Sequence, residues 1–156
     1  MVIALFIYLL CIVCWLGGML FFSIFTAPVV FSQLPISEAG KVVAGIFPRY
    51  YILGYVAGVI SFMLALYFTM AHSPRLWWSL AAIALLIALA LTFYAGAVVR
   101  PKVDAIRTVA EEQNPDAARK AEFQQLHRLS VSLNGAVMVL NVLALLSTAA
   151  ALSPHA

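Results

Sequence analysis

Four long stretches without a charged side chain divide this sequence, and they settle which solvent it can fold in. No Asp, Glu, Lys or Arg occurs before Glu38, from Tyr50 to Ala71, from Leu76 to Val99, or after Arg128. Each stretch exceeds the roughly 20 apolar residues that cross a hydrocarbon core of about 30 Å as an α-helix. Soluble domains carry about 25% charged residues. Here 10% of 156 residues are charged and 65% are hydrophobic, with a mean hydropathy of +1.03. Such a chain could not cover its surface in water. Membrane strands alternate in and out over about ten residues, whereas Ala81–Leu91 is apolar on every face. The expected fold is all-α: one integral membrane domain over 1–156, a four-helix bundle with helices near 3–31, 50–71, 76–99 and 129–152.

The first stretch reads as a retained transmembrane helix. It lacks the basic start, the short apolar core and the small-residue cleavage site of a signal peptide. Orientation follows from the nine Lys and Arg residues. Lys41 and Arg49 lie between helices one and two. Arg100, Lys102, Arg107, Arg119, Lys120 and Arg128 lie between helices three and four. Only Arg75 lies on the opposite side. The positive-inside rule then places both longer loops in the cytoplasm and both termini outside, as in a multi-pass protein of the bacterial inner membrane. Five acidic residues (Asp104, Glu111, Glu112, Asp116 and Glu122) offset the six positive ones in the long loop, so nucleic acid is not an expected partner. The bilayer is.

Local signals add detail. Gly17-Gly18 suits close approach by a neighbouring helix. Pro28 is expected to kink or stop helix one. Ser37 is expected to cap a short amphipathic helix, Glu38–Phe47, lying on the membrane face, with Phe47-Pro48-Arg49 breaking it before helix two. Trp77 and Trp78 mark the outer interface of helix three. The charged stretch from Arg100 is expected to extend helix three into the cytoplasm with a kink at Pro101. Asn114-Pro115 caps a fourth helix running to about Ala151, so cytoplasmic extensions of both helices fall within 100–128.

The residues most suggestive of chemistry lie on helix four. His127, Ser130, Asn134 and Asn141 recur at i, i+3, i+7 and i+14, which puts them on one stripe. A polar side chain at that depth faces protein or water rather than lipid. The stripe reads either as a polar track from the cytoplasm, with His127 its titratable member, or as hydrogen-bonding glue between helices. Ser23, Thr26, Arg49 and Tyr50 are its expected neighbours. Arg49 and Arg100 read first as snorkelling anchors and second as a seat for an anionic head group. Cys11 and Cys14 form a C-x-x-C that reads as apolar filler. A soft-metal site recruiting Met19, Met63 or Met70 is the less favoured alternative. No catalytic residues and no metal ligands are expected. No carboxylate lies within a span, and soluble nucleotide-binding and hydrolase motifs are absent.

The run Trp15-Leu16-Gly17-Gly18, with Phe21-Phe22, Ala27-Pro28, Phe31, Gly40 and Phe47-Pro48-Arg49-Tyr50-Tyr51, resembles a bacterial family of unknown function. That family is grouped with the eukaryotic transmembrane protein 205. Phe123, Leu126-His127, Ser130 and Asn134 match its second signature. The resemblance implies a small four-helix membrane protein. The eukaryotic member's association with platinum-drug resistance implies export or the handling of soft metals. A looser similarity to copper-resistance and haem-pathway membrane proteins leaves copper and haem open, although no cofactor is expected. A bis-His haem would lack a second ligand within one protomer.

The leading expectation is a permease or export component for a small solute or soft metal ion, working as a homodimer because four thin helices leave little room for a pore. The first alternative is an interaction or assembly protein whose cytoplasmic hairpin docks a protein partner. The second is a haem- or quinone-binding membrane protein.

Overall fold

The computed structural model describes residues 1–110 and 117–153. It is an all-α bundle of four long passes, and no strand occurs among the described residues. The first pass is α1 (Val2–Phe21), a π-helical turn (Phe22–Thr26) and α2 (Ala27–Gln33). The second is α3 (Ile36–Ala71). The third is α4 (Arg75–Tyr94), a second π-turn (Ala95–Val99) and α5 (Arg100–Ala110). The fourth is α6 (Ala117–Leu152). Leu34 and Pro35 alone join the first two passes, and His72–Pro74 join the next two, so consecutive passes run antiparallel. The first pass packs on the second, the second on the third, the third on the fourth and the fourth back on the first. All four are long and apolar enough to cross a membrane, which makes the protein multi-pass.

The second pass corrects two expectations. No separate amphipathic helix ends at Pro48: α3 runs unbroken from Ile36 to Ala71 with Pro48 inside it. Nor does Ser37 cap it, because the cap position is Pro35 and no side-chain cap bond forms. Proline removes one N–H from the ladder. Breaking the helix in an apolar setting would strand several more backbone groups without water. The Arg49 guanidinium also reaches back to the Gly45 carbonyl at 3.5 Å, beside the gap in the ladder.

Pro28 and Pro101 each follow a π-turn by two residues. The Ala27 N–H bonds Phe22 O, and the Arg100 N–H bonds Ala95 O. Both bonds span five residues where an α-helix spans four. Slipping the ladder by one residue just before each proline lets the helix absorb the missing donor, a recognised cause of helix deflection. The helix thus continues past Pro28 to Gln33 rather than stopping.

Close packing falls elsewhere than on Gly17-Gly18. A Cβ on Gly17 would meet nothing within 4 Å, and one on Gly18 only Leu53 Cδ2 at 3.1 Å. The tight pair is Gly54 and Gly58, a G-x-x-x-G on α3. A Cβ on Gly58 would lie 2.8 Å from Leu89 and 3.0 Å from the Trp15 ring. The two glycines form the slot that takes buried Trp15, as small residues do between membrane helices. The Asn114-Pro115 cap lies outside the described residues. α5 and α6 pack against each other on either side of that segment.

Candidate functional site

At one end the bundle is shut. Tyr8, Phe68 and Trp78 meet edge-on or tilted with ring centroids 4.6 to 6.0 Å apart. The Tyr8 and Thr148 hydroxyls share a 2.8 Å hydrogen bond that ties the first pass to the fourth.

At the other end the same two passes part. Among the described residues, α2 packs on α3 but makes almost no contact with α6. Between them lies a cleft of about 1310 Å³, walled by all four passes. Its apolar wall includes Phe22, Val43, Phe47 and Met138, and its polar residues include Lys41, Tyr51, Arg100, Asp104 and His127. Both π-turns border it. The first contributes Phe22 and Ser23, and the second ends at Val99, immediately before Arg100.

Three of the four helix-four stripe residues enter this cleft: His127, Ser130 and Asn134. The Tyr50 hydroxyl donates to Asn134 Oδ1 at 3.0 Å, and Ser130 lines the cleft together with buried Tyr51. His127 is exposed and stacks on Phe123, the ring centroids 6.2 Å apart and the planes 9° apart. Ser23 lines the cleft, while Thr26 bonds back to its own helix at Phe21 O. Arg49 stays outside, exposed and bonded to Gly45.

Asn141 is separate. It is fully buried, does not line the cleft, and donates only to Val137 O of its own helix at 2.9 Å. Cys11 is half-buried in the core cluster and Cys14 is exposed; neither lines the cleft. Among the described residues, no three His, Cys, Asp or Glu side chains gather in a metal-binding group.

Arg100 Nε lies 3.4 Å from Asp104 Oδ2, one helical turn on, in an ion pair about a third exposed. That Nε–H makes no hydrogen bond among the described residues. Lys41, Tyr51 and Asp104 are site residues that sequence reasoning passed over. The signal was present: Ser37, Lys41, Ala44, Phe47 and Tyr51 form one helical stripe, visible only when α3 is taken as continuous through Pro48.

Four membrane-length helices and a cleft at their charged end define an α-helical, multi-pass membrane protein with room for a ligand. The chain belongs to the family described as a domain of unknown function, DUF4149, which matches residues 10–112. An uncharacterized protein of Aquifex aeolicus (strain VF5) is 30% identical over 128 residues, covering 82% of this chain and 83% of its own length. No solved structure matches the chain.

Proposed function

We propose that the protein is the solute-binding component of a membrane export or permeation step, and that the cleft between α2 and α6 is where the solute sits. One observation carries this reading. The helix-four stripe does not merely pair with a neighbouring helix; it opens into about 1310 Å³ of space, above the roughly 300–1,000 Å³ of most small-ligand sites. Packing glue needs no such space. The bundle is open at the charged end and shut by Tyr8, Phe68 and Trp78 at the other, as a carrier caught facing one side would be. Passage through one bundle requires that aromatic seal to move, and a second copy would supply a wall for the cleft mouth. In this reading the protein sits in the bacterial inner membrane with the cleft facing the cytoplasm, because eight of the nine Lys and Arg residues lie at that end. A soft-metal cargo fits less well, since both cysteines lie away from the cleft.

Gly135 supplies the test. It lines the cleft, and a Cβ there would meet nothing within 4 Å. Gly135→Leu should place a bulky side chain in the cleft where α6 lines it while leaving the helix intact. Native mass spectrometry of protein purified in mild detergent should show a retained adduct on the wild type and none on Gly135→Leu. Equal adducts on both proteins would remove the cleft as the binding site.

A further inference from the structure

We infer, building on that reading, that the occupant of the cleft is an anionic membrane amphiphile, an acidic head group on an apolar tail, which enters sideways from the bilayer between α2 and α6.

The route comes first. The first and fourth passes touch through Tyr8 and Thr148 and separate at the other end, so the cleft mouth is a slot between two helices, facing outward. The lips of that slot are apolar and exposed: Phe31 by 47% and Val131 by 58%. Gly135 leaves the α6 lip without a side chain. In a bundle spanning lipid, such a slot faces acyl chains. A solute dissolved in water would have to cross those lips, whereas a lipid-dissolved one is already beside them.

The wall decides the tail. Phe22, Val43, Phe47 and Met138 give an apolar lining that a small hydrophilic anion would leave uncovered, whereas a hydrocarbon chain covers it.

The rim decides the head. Of the Lys, Arg, Asp and Glu residues that line the cleft, two are cations, Lys41 and Arg100, and one is a carboxylate, Asp104. The Arg100 Nε–H has no hydrogen bond of its own. Arg100 lies where the charge-free part of the third pass ends, the depth at which head groups sit and at which a cation is worth about 1 kcal/mol towards an anionic lipid. The Ser130 hydroxyl and the His127 ring extend the same rim with hydrogen-bonding groups. Carboxylate and phosphate heads share this chemistry.

The test uses the full-length protein in phosphatidylcholine nanodiscs with cis-parinaric acid as the fluorescent probe. Oleate and lysophosphatidate compete as carboxylate and phosphate arms, oleyl alcohol as the uncharged arm, and inorganic phosphate as the aqueous anion. At least one charged amphiphile should displace the probe at about fivefold lower concentration than oleyl alcohol, the worth of one interfacial cation. Displacement by one charged arm alone identifies the head group, and displacement by both leaves it as any acid. Arg100→Gln should erase the preference, Arg100→Lys should keep most of it, and Gly135→Leu should abolish probe binding. Oleyl alcohol competing equally on the wild type would overturn the anionic head. Displacement by inorganic phosphate would overturn the membrane route. Probe binding that survives Gly135→Leu would place the amphiphile outside the cleft. If the probe fails to bind a wild type that still retains its Gly135-sensitive adduct, the cleft remains a solute site and only the amphiphile inference falls.

Discussion

The hydroxyl of Tyr50 and the side-chain carbonyl of Asn134 meet at 3.0 Å across the second and fourth passes. Two residues earlier in α3, Pro48 fails to interrupt the helix. The two facts are linked. Because α3 continues through Pro48, residues on both sides of it keep one helical register. Phe47 and Tyr51 can therefore line the cleft while Tyr50 reaches Asn134.

The bond should be worth little to stability. Hydrogen bonds between membrane helices average about 0.6 kcal/mol and reach about 1.7 kcal/mol. Tyr50→Phe and Asn134→Ala, measured singly and together by thermal melting in detergent, should show a coupling energy in that range. Coupling near zero would mean the contact does not persist in the folded protein. Coupling well above it would mean the bond organises the bundle rather than the cleft.

Much of this arrangement was legible in the residues. Charge-free stretches marked the four passes, and helical spacing put His127, Ser130 and Asn134 on one face with Tyr50 as a neighbour. Two things were not legible. Proline signals were read by the rules of soluble helices, where water can satisfy a freed carbonyl, so Pro48 looked like a boundary and the Lys41–Tyr51 stripe was cut in two. The cleft itself depends on where the first and fourth passes diverge. That divergence follows π-turns whose only trace in the sequence is a proline two residues beyond.

The π-turn of the third pass has its own consequence. Gly96 stands within it, and a Cβ there would overlap the Tyr55 hydroxyl and lie 2.8 Å from the Tyr51 ring. Tyr55 is held by stacking on Phe93 at 4.3 Å, and Tyr51 is buried, so neither has an easy retreat. Gly96→Ala should lower stability by about 1–3 kcal/mol, the usual cost of overpacking. Gly135→Ala, whose Cβ would meet nothing within 4 Å, should be neutral or gain up to about 1 kcal/mol from helix propensity. Melting the two variants side by side checks both. A Gly96→Ala protein as stable as the wild type would contradict the packing around Tyr51.

Orientation is checked by labelling. In a Cys11→Ser, Cys14→Ser background, a cysteine at position 3 should react with a membrane-impermeant maleimide in intact cells, because the charged ends of all four passes are placed inside. A cysteine at Ala105, an exposed position on α5, should react only after the membrane is opened. The reverse pattern would turn the cleft to face the outside.

Asn141 separates burial from function on the helix-four stripe. It lies seven residues beyond Asn134, a shift that returns to within about 20° of the same face, yet it is fully buried and outside the cleft. Its amide donates to Val137 O at 2.9 Å, and its Oδ1 has no hydrogen-bond partner among the described residues. Among the described residues that bond stays within α6 and joins no second pass. A buried, unpaired acceptor costs about 1–3 kcal/mol. Replacing it with an apolar side chain of similar size should therefore be neutral or stabilising. Asn141→Leu and Asn141→Val bracket the volume, so that overpacking in one is not mistaken for a lost polar contact. At least one of them should melt no lower than the wild type, with a gain of up to about 1 kcal/mol, or roughly 2–4 °C for a chain of this length. The retained adduct and the probe binding should be untouched, since neither variant alters the cleft wall. If both variants instead melt several degrees lower, Oδ1 has a partner in the folded protein, and the polar stripe reaches past the cleft to that depth.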